Sequence, residues 1–113
     1  MHEMSLMEAL VNLAEEEASK AEAQSVSVLR VAVGALSNVD PHALRFCFDA
    51  VVRGSICEGA ALDLIDVPGA GWCLDCGKEV ALTERFGACP ECGRHRVQMT
   101  RGDDFRLVEL EVA

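Results

Sequence analysis

Residues 72–96 read WCLDCGKEVALTERFGACPECGRHR, and the rest of the chain is organised around this stretch. It carries two C-x2-C pairs, Cys73/Cys76 and Cys89/Cys92, with twelve residues between them. Two thiolates from each pair can close a tetrahedral sulfur site of the kind that structural zinc takes. The loop between the pairs is a little shorter than in the usual ribbon. A glycine follows each pair (Gly77, Gly93), and a tight turn there would aim backbone N–H groups back at the sulfurs. Pro90 fixes φ inside the second pair and pre-bends it. A rubredoxin-like iron site would accept the same four thiolates. Two disulfides would need an oxidising compartment, and nothing in the chain reads as secreted.

Working outward, Lys78, Arg85, Arg94, Arg96 and Arg101 crowd the same segment and are expected to offset its charge. The whole chain carries a formal net charge of −9 over 113 residues, and four thiolates on one zinc would add roughly −2. So acidic a chain argues against nucleic acid or an anionic membrane as its main partner. Half the residues are apolar, enough for one ordinary domain with a smaller satellite. No apolar run approaches the ~20 residues of a membrane span. The N-terminus has glutamate and no basic region, so a signal peptide is not expected and a reducing cytoplasm is.

The N-terminal half reads as two helix–strand pairs. Ser5 and Glu8 form a capping box that predicts a helix over 5–22. Leu6, Leu10, Leu13, Ala14 and Ala21 are then expected on its buried face, with Glu16–Lys20 an i,i+4 pair on the solvated one. Residues 26–36, VSVLRVAVGAL, are β-branched enough for a strand, with Gly34 as bulge or exit. Asp40 and Pro41 are suited to the N-cap and first position of a second helix. Leu44, Cys47, Phe48, Val51 and Val52 give that helix its apolar stripe, and Gly54 is expected to stop it. Cys47 is expected to be buried there; Cys57 is expected half-exposed, with no role; His42 is expected to be solvated.

Residues 60–67 read as a second strand, Pro68–Gly71 as a linker and Arg101–Asp104 as a turn. Phe105–Val112 reads as a third strand that rejoins the first two. The expected class is therefore α+β: a small three-stranded sheet with two helices, and a zinc-ribbon-like domain inserted before the last strand. The expected division is 1–69 plus 101–113 against 70–100.

The N-terminal Met1-His2-Glu3 carries a second, quieter signal. A methionine before histidine is expected to be retained, so the Met1 amine, the His2 amide nitrogen and the His2 imidazole could close fused chelate rings on one ion. Such nitrogen donors suit square-planar Ni(II) or Cu(II). Glu3, His95 or a partner could supply a fourth donor. Taken alone, a histidine near a terminus is usually just solvated.

MHEMSL at the N-terminus, VAVGALSNVDPHALRFCFDAVVRGSICEGA in the middle and the WCLDCG…CPECG module together resemble the HypA/HybF family, the nickel-insertion accessory proteins of NiFe-hydrogenase maturation. The resemblance runs essentially the whole length and in the family's order. It implies an α+β nickel-binding domain carrying a zinc domain. Nickel ligands would be Met1, His2 and Glu3, and zinc ligands Cys73, Cys76, Cys89 and Cys92. His95 has no family counterpart and is a possible accessory nickel ligand. The implied partners are a HypB-type GTPase and the hydrogenase large-subunit precursor; some members also serve urease.

Two other classes compete. A zinc-ribbon module that binds nucleic acid or protein would want a basic, aromatic face, which this chain lacks for nucleic acid. An enzyme would want an open coordination position or a paired acid and base, and neither is found.

Overall fold

The computed structural model describes residues 2–113. It contains two helices and six strands: α1 His2–Lys20, β1 Val26–Gly34, α2 Pro41–Val51, β2 Ala61–Val67, β3 Ala70–Cys73, β4 Lys78–Ala81, β5 Val97–Arg101 and β6 Phe105–Val112. Two three-stranded sheets result, in the orders β2-β1-β6 and β4-β3-β5. These elements fall into two compact units. The first comprises residues 1–32, 39–65 and 106–113, and the second residues 33–38 and 66–105.

In the first unit, β1 is the central strand, between β2 and β6. Leu29 and Val31 are buried while Arg30, between them, reaches carboxylates on both flanking strands. Its guanidinium meets Asp63 of β2 at 3.2 Å, and Glu109 and Glu111 of β6 at 3.1 and 2.6 Å. One cation thus gathers acids that would otherwise repel across adjacent strands. The hydrogen bond to Glu111 leads in raising the Arg30 pKa. The C-terminal strand does return to this sheet, as its alternation implied. Ser25 and Ala113 exchange backbone hydrogen bonds at 3.0 and 3.4 Å, the signature of antiparallel pairing.

Among the described residues helix α1 runs from His2, three residues before the expected capping box, so Ser5 lies inside the helix. Its buried face is also rotated from the expected one. Met7, Leu10, Val11, Ala14 and Ala18 are buried, whereas Leu13 is 41% exposed and Ala21 lies past the helix end. Met7 and Val11 thus share the stripe in place of Leu13, on a helix that packs against α2. Lys20 pairs with Glu17 at 3.8 Å rather than with Glu16.

Helix α2 begins as its sequence dictates. Asp40 is the N-cap, its carboxylate accepting from the His42 N–H at 2.9 Å, and Pro41 occupies the first turn. Leu44, Cys47, Phe48 and Val52 are buried, and Gly54 adopts φ +78° two residues beyond the C-cap Val52. Cys57 is buried, not half-exposed, and burial leads in raising its thiol pKa, with Glu15 adding.

In the second unit β3 pairs antiparallel with β4 (Trp72↔Glu79) and with β5 (Trp72↔Gln98). Residues expected to be linker are therefore strand from Ala70 onward. Gly71 permits this approach, since a Cβ there would collide with the Val97 side chain. Among the described residues no helix is long and apolar enough to cross a membrane.

Candidate metal centre

The β3–β4 hairpin presents Cys73 and Cys76, and the loop before β5 presents Cys89 and Cys92. Their four sulfurs all lie within 4.8 Å of one another. Cys73 and Cys92 are 3.7 Å apart, and Cys76 and Cys89 are 3.9 Å apart. Four sulfurs at about 2.3 Å from a tetrahedral zinc stand about 3.8 Å from each other, so the donor set fits that ion. All four positions are cysteine, which leaves no coordination site for water. Among the described residues this is the one group of His, Cys, Asp or Glu side chains gathered as a metal needs.

The two knuckles are built alike. The carbonyl of each first cysteine accepts from the glycine four residues on: Gly77 N–H to Cys73 at 2.8 Å, Gly93 N–H to Cys89 at 2.9 Å. Both glycines hold positive φ, +66° and +75°, where a side chain is strained. The glycine N–H groups thus close the turn on a carbonyl, where the sequence had suggested N–H groups aimed at the sulfurs. Among the N–H groups that do reach a sulfur are those of Cys76, to Cys73 Sγ, and Glu91, to Cys89 Sγ, each at 3.4 Å.

Electrostatics split the thiols. Cys89 is drawn down to about 7, first by the Cys92 N–H, against burial, with the Glu91 N–H helping. Cys76 is pushed up to about 12, chiefly by its hydrogen bonds with the Cys73 and Cys92 sulfurs. A cation placed among them removes the conflict by taking all four as thiolates. The basic residues expected to neutralise the sulfurs mostly find carboxylates instead. Lys78 bridges the knuckles to Glu91 at 2.6 Å; Arg96 and Arg94 share Asp75 at 3.0 and 3.8 Å; Arg101 reaches Glu79 at 3.4 Å. Arg85 donates to the Leu36 carbonyl at 2.6 Å. Nothing in the spacing of Asp75 and Glu91 marks them as supports of the site; only the folded knuckles bring their partners to them.

Beyond the sulfurs, the core of this cluster is thin: Cys73, Cys89 and Val80, with Cys76 and Val97 against them. Cys73 and Cys89 are buried, Cys76 half-buried and Cys92 exposed. Cys47 and Cys57 take no part.

At the other end, His2 is exposed on the first turn of α1, and the Glu3 carboxylate accepts from the Asp40 N–H at 3.4 Å. Met1, the third member of the expected nickel site, lies outside the described residues. His95 is exposed, with Nδ1 3.3 Å from the Phe86 carbonyl. A carbonyl only accepts, so Nδ1 is the donor in this contact. His2, Glu3 and His95 are not brought together into a ligand group among the described residues.

Comparison with known proteins agrees along the whole chain. A family model described as "Hydrogenase/urease nickel incorporation, metallochaperone, hypA" matches residues 1–112. The hydrogenase maturation factors HypA of Rhizobium leguminosarum bv. viciae and Dechloromonas aromatica are 54% and 50% identical over 112 residues, 99% of either chain. The solution structure of the Ni metallochaperone HypA from Helicobacter pylori superposes with a TM-score of 0.70 at 29% identity, covering 97% of this chain and 96% of that one. A second HypA solution structure gives 0.73 at 32% identity, covering 100% and 97%. The chain belongs to the HypA family of nickel metallochaperones for hydrogenase and urease maturation.

Proposed function

We propose that this chain delivers Ni(II) during NiFe-hydrogenase maturation, binding it at the N-terminus and holding a permanent structural Zn(II) on Cys73, Cys76, Cys89 and Cys92. The observation that carries the reading is the family match itself. It runs from residue 1 to residue 112 and so takes in both the Met-His-Glu start and the four cysteines. The His2 imidazole supplies the essential side chain; Met1 and Glu3 supply mainly terminal and backbone donors. The Glu3 carboxylate is already engaged by the Asp40 N–H, which fits a backbone role. His95 is an accessory nickel ligand on this reading.

Thiolate donors suit zinc and nitrogen donors suit nickel, so one small chain keeps two metals apart. The cargo belongs to residues 1–69 plus 101–113, and the zinc to residues 70–100. The chain is not an enzyme, since four cysteines saturate the zinc and nickel is cargo. Its partners are a HypB-type GTPase, the hydrogenase large-subunit precursor and, in urease-containing cells, urease maturation proteins, all in the cytoplasm.

The test is nickel titration of two zinc-loaded forms, one beginning at Met1 and one with a peptide fused ahead of it. Fusion should abolish nickel binding and leave zinc in place. Equal nickel affinity in both forms would sink the reading.

A further inference from the structure

We propose that the exposed face of α2 is the surface on which a nickel-accepting protein docks, with Phe46 as the anchor and Arg45 and Arg53 as its charges. The proposal rests on the metallochaperone reading and names a surface that reading requires.

Helix α2 buries Leu44, Cys47 and Phe48. At 3.6 residues per turn, His42, Arg45, Phe46, Asp49 and Arg53 fall within an arc of about 100° on the other side. All five are exposed, Phe46 at 78%. Arg53 is included because the C-cap Val52 still has helical φ and ψ, which carries the stripe one residue further.

A lone exposed aromatic residue means little. What distinguishes this one is the charge around it, in a chain of formal net charge −9. Elsewhere in this unit Lys20 is paired with Glu17, and Arg30 is surrounded by three carboxylates. Among the described residues, neither Arg45 nor Arg53 has a carboxylate within ion-pairing distance. Arg45 donates instead to the Leu62 carbonyl at 2.9 Å, which orients the guanidinium, and the stripe as a whole sets two arginines against the one carboxylate of Asp49. An aromatic side chain flanked by free arginines is the composition on which interfaces concentrate their energy.

The chemistry of the occupant follows from the cargo. A protein that accepts Ni(II) offers deprotonated donors, so the mouth of its empty site is anionic. An acidic chain is repelled by such a surface except where it presents a cationic face. Position agrees with charge. Asp40, the N-cap of α2, holds the Glu3 carboxylate through its N–H, and His42 begins the exposed stripe two residues later. A partner seated on α2 therefore has the N-terminal donors at the margin of its interface. The rival surface is Phe86 in the second unit, 90% exposed with φ +60°. Its neighbours Arg94 and Arg96 already share Asp75, and Arg85 is held by the Leu36 carbonyl.

The test uses the full untagged chain, zinc-loaded, with the nickel-free large subunit of a NiFe-hydrogenase as the probe. Isothermal titration would be run on Phe46→Ala, Arg53→Glu and Phe86→Ala, first with Ni(II) and then with the subunit at two salt concentrations. Nickel affinity should be unchanged in all three. Subunit affinity should fall at least tenfold in Phe46→Ala and in Arg53→Glu and stay within twofold in Phe86→Ala. Salt should weaken wild-type docking, and Arg53→Glu should flatten that dependence. The proposal is overturned if both α2 variants bind within twofold of wild type, if Phe86→Ala alone abolishes docking, or if the wild type does not bind the subunit. Arg53 is exposed, so its variant decides the matter if Phe46→Ala misfolds. A wild type that takes up no Ni(II) would count against the metallochaperone reading instead.

Discussion

The carboxylate of Glu3 accepts a hydrogen bond from the backbone N–H of Asp40 at 3.4 Å, tying the first turn of α1 to the residue that caps α2. The side chain of Glu3 thus has work of its own near the N-terminus, separate from metal ligation. Glu3→Ala should therefore keep one nickel per chain with an affinity loss below about tenfold, or about 1.4 kcal/mol. His2→Ala should lose the site altogether. Nickel titration followed by d–d absorption compares the two; equal loss in both variants would contradict the division of roles.

Zinc and the second unit should stand or fall together. With little beyond Val80 and Val97 packed against the sulfurs among the described residues, the free energy of metal binding, about 10–16 kcal/mol in small zinc modules, is largely folding free energy. Chelation or Cys89→Ser should shift the emission of Trp72, the one tryptophan in the chain, towards that of a fully solvated indole. Emission unchanged after verified zinc removal would refute this.

Acid should loosen zinc. Cys89, depressed to about 7 from 9.0, favours the metal-free fold above the unfolded value, and that contribution is lost as pH falls through about 7. Cys76, raised to about 12, keeps its proton throughout this window until metal displaces it. Zinc uptake at pH 6 should therefore release about one more proton than at pH 8, namely that of Cys89. Calorimetry in buffers of different ionisation enthalpy measures the difference directly.

Arg30 holds Asp63, Glu109 and Glu111 together across three strands. Arg30→Met should lower the melting temperature, because three carboxylates are left facing one another. Added salt should restore part of the loss by screening them. A salt-independent loss would point to packing of the arginine stem instead.

The buried register of α1 can be checked by truncation. Met7 is fully buried and Leu13 is not. Met7→Ala should cost about 2–5 kcal/mol in urea unfolding, and Leu13→Ala should stay within about 1 kcal/mol. The reverse order would restore the helix face that the leucine spacing suggested.

How much of this was legible beforehand differs from element to element. The start of α2 was, because Asp40-Pro41 is a local device whose capping bond spans two residues. The pairing of β6 with the first sheet was, because its alternation demanded an apolar partner. The face of α1 was not, since Leu13 and Met7 differ only in what packs against them. The burial of Cys57 was not, for the same reason. The strands of the second unit were missed because short segments such as Ala70–Cys73 have too few residues to show a period.

The sequence by itself determined which residues are available as donors at the four-cysteine cluster and at the proposed nickel site: four cysteines in two knuckles, and a histidine next to an N-terminal methionine. Metal chemistry selects residue types, and residue types are written in the chain. Tertiary structure alone decided which groups surround those donors. It chose Cys76, Glu91 and Cys92, not the glycines, to point N–H groups at sulfur. It set Glu3 against Asp40, and it left Arg45 and Arg53 unpaired while Arg30 took three carboxylates. The physical reason is range. Capping bonds, knuckle turns and alternation act over a few residues, whereas the partner of a charge is fixed only when strands and helices distant in sequence are packed together.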